Sequence, residues 1–265
     1  MFSKYLVALV GVFGVCNARS TANLFKKDSC QPDPKLCPLG VVSCTAPNLD
    51  SCCASSVGLH VMTMGWYSKT GPADKFTIHG LWPDYCDGSW PPNTGCDDAR
   101  NYDKIACTIK EQRPLLYNDM VRYWPSSSGD NEDFWLHEWN KHGTCVSTLN
   151  PKCFNAPAKN GVDALEYFDM TMKYFKMWDI YSSLEKRCIV PTANTTDPAT
   201  QVTYSVAQIK QALREDFGAE PALFCNNGTL NEVSFYFFTK DNFEPVFTFP
   251  RANDTCKTVA YINKY

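Results

Sequence analysis

The chain has 265 residues, of which 44% are hydrophobic and 20% are charged, a composition that excludes wholesale disorder and allows a large folded core. Its formal net charge of −3 at pH 7 argues against a protein that coats nucleic acid through a strongly basic surface. A nucleic-acid partner would have to bind at a local site, or at acid pH, where carboxylates are partly neutralised.

The first residues have the features of a secretory signal. Lys4 precedes an apolar run from Tyr5 to Val15, and residues 16–18 include the small residues that signal peptidase requires. The run is too short to cross a bilayer, so we expect a signal peptide at 1–18, a secreted protein and no membrane anchor. A vacuolar or lysosomal destination is the alternative. Residues 19–36 are interpreted as an N-terminal extension, with Lys26–Lys27 as a candidate processing site, and residues 37–265 as one functional domain.

Cysteine usage agrees with export. Fourteen cysteines are hard to explain in a reducing compartment, and their spacing lacks the pattern of a structural zinc site. Loss of Cys16 with the signal leaves 14 − 1 = 13, so at least one thiol is free, is paired between chains or is lost with a pro-segment. Sequons at Asn194, Asn227 and Asn253 predict glycosylation.

The strand predictions lie at the two ends of the domain. Val57–Tyr67 and Phe76–Trp82 combine β-branched and aromatic residues, and a turn-rich loop follows at 86–96. Two late strands are predicted at Val233–Thr239 and Phe243–Phe249.

The predicted helices lie between these strands. Apolar spacing predicts helices over 101–123, 132–142 and about 162–184. Ser205 is a candidate N-cap for a further helix that Gly218 closes. We therefore expect an α+β fold in which helices pack on an antiparallel β-sheet, in a disulfide-rich single domain.

The strongest chemical signal is the window from His137 to His142, which also contains Glu138 and Lys141. On a helix, Glu138 and His142 would be i,i+4 neighbours, as would His137 and Lys141. The alternative is an ordinary solvent-exposed polar face of a helix. Against it, bulky Trp rings lie between these polar groups in the sequence. A zinc-protease motif needs histidines at i and i+4. Here they are at i and i+5 and would diverge on an α-helix, so we predict no metal ligand and no cofactor.

The second signal is the segment from Phe76 to Asp84, in which His79 stands where a short strand breaks into a loop. The fourth histidine, His60, lies inside a predicted strand, and we expect it to be structural or exposed. Two separate histidines suit RNA cleavage through the substrate's own 2′-hydroxyl. That reaction needs a base, an acid and a cation for the phosphorane charge, but no metal, and imidazoles favour a mildly acid optimum.

Phe76–Asp84 and Phe134–Cys145 together resemble the two signature segments of the ribonuclease T2 family, base-nonspecific acid endoribonucleases. The likeness to fungal members runs from about Cys37 to Cys256, and makes 37–265 a ribonuclease domain. It implies a monomeric enzyme that takes single-stranded RNA through a 2′,3′-cyclic phosphate to a 3′-phosphate.

The resemblance also implies roles for individual residues. His142 would be the general base and His79 the general acid, and the two would exchange roles in the second step. Glu138 and Lys141 would stabilise the pentacoordinate phosphorus, and His137 would bind the phosphate.

Two base-binding sites are implied in the same way. The first would comprise Trp82, Asp84 and Trp90. The second would comprise Phe134 with the loop residues Pro125, Ser126, Ser127 and Ser128. Gly65 departs from the pattern, because fungal relatives can carry a polar Gln there. Aromatic stacking is a sequence-tolerant way to hold unpaired bases, although core packing is the alternative role for each ring.

Family pairing would imply five disulfides, namely Cys37–Cys53, Cys44–Cys86, Cys52–Cys153, Cys96–Cys145 and Cys225–Cys256. Cys30, Cys107 and Cys188 then have no assigned partner, and Cys107–Cys188 is a candidate sixth bridge.

A second hypothesis is a secreted binding or cytotoxic protein on the same fold whose effect needs no catalysis. The presence of all five reactive residues, from His79 to His142, argues against it, since a binder would be free to lose some of them.

Overall fold

The structure is a computed structural model that describes residues 37–45, 50–154, 160–195, 197, 199–241 and 243–265. These residues belong to one compact unit, Asp33–Tyr265. The predicted signal peptide at 1–18, the extension at 19–36 and Cys30 lie outside the described residues.

A five-stranded antiparallel sheet lies at the centre of the fold. The strands, in chain order, are β1 (Leu59–Gly65), β2 (Thr77–Asp84), β3 (Tyr204–Ser205), β4 (Ala222–Asn226), β5 (Thr229–Lys240), β6 (Glu244–Phe247) and β7 (Thr258–Val259). The main sheet has the order β2-β1-β5-β4, β6 also pairs with β5, and β3 and β7 form a separate two-stranded sheet.

Helices connect the two halves of the sheet. They are α1 (Ala106–Gln112), α2 (Pro114–Tyr123), α3 (Asn131–His137), α4 (Val162–Met177), α5 (Ile180–Glu185) and α6 (Val206–Phe217). The predicted class, helices packed on an antiparallel sheet, is confirmed. Among the described residues, no helix has the length and apolar character needed to cross a membrane.

Two of the predicted helices are each divided in the structure. The helix expected over 101–123 starts only at Ala106 and breaks at Arg113, because Pro114 takes the first position of a new helix. The helix expected over about 162–184 breaks at Trp178, since the Asp179 side chain accepts the backbone N–H of Ser182 and starts α5.

Other sequence predictions hold. Ser205 caps α6, in a capping box with Gln208, and Gly218 ends the helix at a φ of +69°. The four predicted strands correspond to β1, β2, β5 and β6. β4 was missed, because its short apolar run before the turn at 226–228 has no clear alternation.

The two faces of the sheet have different surroundings. Met62 and Met64 of β1 face the large core that the sheet forms with the helices, where Trp124, Trp135 and Trp139 are fully buried. Alternate residues of β1 point the other way, as a strand requires, into a small cluster that includes Leu59, Val61, Ala222 and Tyr236. The large core thus lies on one face of β1.

The structure contains all five disulfides that the resemblance implies. The candidate sixth bridge is wrong: Cys188 is an exposed free thiol, and Cys107 takes part in a different disulfide. The Cys96–Cys145 bridge joins the loop after β2 to the segment that follows His142. The cysteines therefore restrain the two motif segments as well as the fold.

His60 is fully buried in β1 and stacks on Phe237 of β5, with the ring centroids 5.7 Å apart. Burial lowers the pKa of His60 to about 4. The expectation of a structural role agrees with this position.

His60 is expected to make the protein less stable in acid. The unfolded chain binds a proton on this residue below about pH 6.5, whereas the folded protein resists it down to a pKa of about 4. Stability is therefore lost as pH falls from 6.5 to 4, by about 3 kcal/mol in total. Replacement by His60→Phe should flatten the plot of unfolding free energy against pH in this window, as measured by urea denaturation. An unchanged slope would contradict the assignment.

Candidate active site

His79 occupies a bulge in β2. Thr63 of β1 pairs with Gly80, and the next residue, Met64, pairs with Ile78, so His79 has no partner across the strands. Bulges of this kind re-aim a side chain and are frequent beside active sites. The bulge interrupts the regular alternation of β2 at His79, whose ring contacts those of Trp82 and Phe134.

Two large side chains from the helices hold this part of β2 in place. The Trp124 indole N–H donates to the backbone carbonyl of His79 at 2.9 Å, and the Tyr167 hydroxyl donates to that of Leu81 at 2.7 Å. Both Trp124 and Tyr167 are fully buried. The core thus determines where the backbone of the bulge lies.

The second motif segment is not a continuous α-helix, contrary to the prediction for 132–142. α3 ends at His137, and Glu138–His142 continue as a π-helical turn. A π-turn brings i and i+5 together, and the rings of His137 and His142 lie 6.0 Å apart. The predicted divergence of these two histidines is therefore wrong.

The π-turn also brings three groups close enough to share one metal ion. The ligand atoms of His137, Glu138 and His142 lie within 4.8 Å of one another. The argument against metal binding from α-helical spacing therefore does not apply to this turn. The spacing of these three residues alone does not exclude a metal ion.

The π-turn is anchored from behind by buried polar contacts. The indole N–H of Trp139 donates to the carbonyl of Arg100 at 2.9 Å, and the Asn140 amide pairs with the backbone of Tyr102. Arg100 is itself buried and forms an ion pair with Asp163 of α4 at 3.1 Å. Because breaking a buried pair is costly, this network fixes the turn against the helical layer.

The two motif segments meet at Trp82. Its ring lies 4.9 Å from that of His79 and 5.5 Å from that of His142, between centroids. Its indole N–H donates to the Glu138 carboxylate at 3.0 Å. Gly80 makes this contact possible, because a Cβ there would overlap both the carboxylate and the indole nitrogen. The structure thus places His79, Glu138 and His142 around Trp82, at a site that we call the cleft.

The two histidines of the cleft have opposite electrostatic environments. Burial, followed by the charges of Lys141, His137 and His79, lowers the pKa of His142 to about 3. Burial also disfavours charge on His79, but the hydrogen bond to Glu232 and the charges of Glu138 and Glu232 outweigh it and raise the pKa of His79. At mildly acid pH, His142 is neutral and His79 is protonated.

The other titratable groups of the site are also perturbed. Glu138 is almost fully buried, which raises its pKa to about 7, against the opposing effects of His79, the Trp82 hydrogen bond and Lys141. Burial likewise raises the pKa of Asp84 to about 7. Burial and the charge of Lys141 lower the pKa of His137, which is more exposed. Burial thus favours the neutral form of Glu138, whose Oε2 accepts the Trp82 hydrogen bond.

Two residues of the site were missed by the sequence analysis. Glu232 of β5 accepts a hydrogen bond from Nδ1 of His79 at 2.7 Å, and the Tyr67 hydroxyl donates to the same carboxylate oxygen. Glu232 is 153 residues away from His79 in sequence. The only local signal is an acidic residue in a strand that otherwise has apolar and uncharged polar residues up to Lys240.

The predicted base-binding residues lie at different depths. Asp84 is buried at the end of β2, and the Phe134 ring of α3 lies 6.3 Å from that of His79. Trp90 is 83% exposed and has no ring contact with the histidines in the described part of the chain. The loop residues Pro125, Ser126, Ser127 and Ser128 precede α3, and this loop is held by the bond from Ser126 N–H to Asn131.

Comparison with known proteins agrees with this arrangement. The sequence profile of the Ribonuclease T2 family matches residues 47–256. Ribonuclease Rh of Rhizopus niveus is 37% identical over 221 residues, which cover 83% of this chain and 89% of that protein. Ribonuclease T2 of Aspergillus oryzae is 36% identical over 252 residues, which cover 91% and 86%. The chain belongs to the ribonuclease T2 family.

Solved structures show the same family fold. Actibind, described as a T2 ribonuclease, superposes with a TM-score of 0.75 at 33% identity, and the match covers 85% of this chain and 96% of Actibind. RNase NT, solved in complex with 5′-AMP, superposes with a TM-score of 0.56 at 25% identity, over 78% and 98% of the two chains. As a member of the ribonuclease T2 family, the chain is an RNA endonuclease.

Gly80→Ala is expected to lower kcat/KM on RNA by about 10²-fold, because the added methyl must displace the Glu138 carboxylate from Trp82 and misalign the cleft. Steady-state kinetics would measure the loss, and thermal unfolding would show whether the variant is still folded. A folded variant with wild-type kcat/KM would show that the contact over Gly80 does not matter for catalysis.

Proposed function

We propose that the protein is a secreted endoribonuclease that cleaves single-stranded RNA with little base specificity, without a metal, and with an acid optimum. The observation that carries the proposal is the pair of imidazoles with opposite pKa shifts on either side of Trp82. Such a pair supplies the neutral base and the protonated acid of phosphodiester cleavage at one pH.

In the first step, His142 takes the proton of the substrate's 2′-hydroxyl, and the 2′-oxygen attacks the phosphorus. His79 donates a proton to the departing 5′-oxygen, which leaves a 2′,3′-cyclic phosphate. Lys141 and protonated Glu138 would offset the charge on the equatorial oxygens of the phosphorane, and His137 would bind the phosphate.

In the second step, the histidines exchange roles, and water opens the ring to a 3′-phosphate. His79, now neutral, takes a proton from water, and His142, now protonated, returns one to the 2′-oxygen. A metal is not needed in this scheme, because the substrate provides the nucleophile of the first step.

The aromatic residues around the cleft would bind unpaired bases on both sides of the scissile phosphate. Trp82, Asp84 and Trp90 are proposed for the first base, and Phe134 with residues 125–128 for the second. The half-exposed Trp82 ring and the exposed Trp90 ring support stacking, which tolerates any base.

Secretion is supported by the apolar N-terminal run and by the disulfides of the domain. The sequon residues Asn194, Asn227 and Asn253 are all exposed, which supports glycosylation. We propose that the enzyme acts as a monomer, since each residue of the scheme is provided by one chain.

His142→Ala is expected to lower kcat/KM on polymeric RNA by about 10²- to 10⁴-fold, because the variant lacks the imidazole proposed to take the 2′-proton. Release of acid-soluble nucleotides from homopolymers would measure it. Turnover at the wild-type rate would exclude His142 as the base.

Two controls separate this scheme from its alternatives. DNA should not be cleaved, since it lacks the 2′-hydroxyl. EDTA should leave RNA turnover unchanged. Loss of activity in EDTA, with recovery on Zn²⁺ addition, would instead assign His137, Glu138 and His142 to a functional metal.

The pH dependence follows from the two imidazoles. kcat/KM is expected to rise with pH as His142 loses its proton, at a pKa of about 3, because the base must be neutral. It should fall as His79 loses its proton, at a pKa above the ordinary value of 6.5, because the acid must be charged. Initial rates on a dinucleoside phosphate across the acid and neutral range would test this. An optimum above about pH 8 would contradict it.

A further inference from the structure

Glu232 is a carboxylate in the middle of a strand whose neighbouring residues are mostly apolar. Its side chain is only 18% exposed, and it receives two hydrogen bonds at the same oxygen, Oε1, from His79 and from Tyr67. The Tyr67 hydroxyl also lies 3.2 Å from Nδ1 of His79. The three groups form a closed triangle on the side of the His79 ring that carries Nδ1.

Gly65 creates the room for this triangle. It lies in the sheet between Thr77 of β2 and Glu232 of β5, directly across from each. A Cβ at position 65 would overlap the phenol ring of Tyr67. Because position 65 has no side chain, the Tyr67 ring can lie over the strand and bring its hydroxyl to the carboxylate.

We propose that Glu232 and Tyr67, seated over Gly65, form a positioning pair that holds His79 in the tautomer and orientation of a general acid. Nδ1–H donates to Glu232, so the second proton of the imidazolium is carried by Nε2, the only ring nitrogen left for the substrate. This inference rests on the proposed function, in which His79 protonates the leaving oxygen. Neither Glu232 nor Tyr67 would touch the reacting atoms.

Of the two carboxylates near His79, Glu232 is the one expected to be ionised at mildly acid pH. His79 is influenced by Glu138, His137 and His142 from the π-turn and by Glu232 from β5. Burial raises the pKa of Glu138 to about 7, so Glu138 is mostly protonated in mild acid.

Glu232 behaves differently. Burial favours its neutral form, but the hydrogen bonds from His79 and Tyr67 and the charge of His79 outweigh burial and lower the pKa of Glu232. It therefore stays ionised where the enzyme is expected to work, and can balance the charge of the imidazolium. Tyr67 stays a neutral donor, because burial and the charge of Glu232 raise its pKa.

Glu232→Gln tests the pair, since the amide oxygen can still accept from Nδ1 while the charge is gone. Glu244→Gln is the matched control: it makes the same change at an exposed residue of β6 in the same sheet. The pKa of His79 would be measured in each full-length protein, without substrate, from the NMR titration of its ring protons. Activity would be measured on a dinucleoside phosphate and on a nucleoside 3′-(4-nitrophenyl phosphate), whose leaving group needs no proton.

In Glu232→Gln, the pKa of His79 and the basic limb of the kcat/KM profile should both move to lower pH. At neutral pH, kcat on the dinucleoside phosphate should fall by about tenfold or more, with KM little changed, while the nitrophenyl ester should be cleaved nearly as fast as before. Tyr67→Phe should show the same pattern more weakly. Glu244→Gln should match the wild type.

The outcomes separate the two hypotheses. A folded Glu232→Gln variant in which His79 titrates as in the wild type would overturn the positioning pair, whatever the activity. If the pKa of His79 falls but the basic limb of the kcat/KM profile does not move, Glu232 does control the pKa of His79. That result would overturn the role of His79 as the acid. Equal loss on both substrates would likewise overturn positioning for acid catalysis.

A double-mutant cycle tests the role of Gly65. Gly65→Ala alone should lower the rate on the dinucleoside phosphate, because the methyl displaces the Tyr67 ring. In a Tyr67→Ala background, Gly65→Ala should cause no further loss. Losses that simply multiply in the double variant would show that position 65 acts independently of Tyr67, and would overturn that part of the inference.

Discussion

The active site depends on one contact, the hydrogen bond from the Trp82 indole to the Glu138 carboxylate across Gly80. It joins a bulged strand to a π-helical turn, two segments that are far apart in the chain. Each segment carries one imidazole of the proposed acid–base pair. Because Gly80 has no side chain, the carboxylate can lie against the strand. Burial of Glu138 at this point raises its pKa to about 7, although the Trp82 hydrogen bond itself opposes the rise.

The second constraint is electrical. His79 and His142 have the same intrinsic chemistry, yet their pKa values shift in opposite directions because different neighbours lie beside them. Partial burial and then the neighbouring positive charges lower the pKa of His142, whereas a carboxylate at Nδ1 raises the pKa of His79 in spite of burial. A neutral base and a charged acid can then coexist at one pH without any change in residue type.

The large core holds the backbone of both motif segments in place. The backbone of β2 is held by Trp124 and Tyr167, and the π-turn is anchored through Trp139 to Arg100. A π-helical turn is rare and is less stable by itself than an α-helical turn, so buried contacts of this kind are needed to keep it in place. The Cys96–Cys145 disulfide then restrains the end of the same segment.

The amino-acid sequence by itself determined the chemistry and the family: the histidine-rich window, the Phe76–Asp84 segment, the α+β class and the cap and closure of α6 are all local patterns. Only the tertiary structure decided the rest. The anchoring of the π-turn at 138–142 and the pairing of Glu232 with His79 depend on contacts between distant residues. A sequence pattern shows which side chains are available. The pKa and the tautomer of an imidazole depend on the side chains that contact it in the folded protein. For His79, that partner lies 153 residues away.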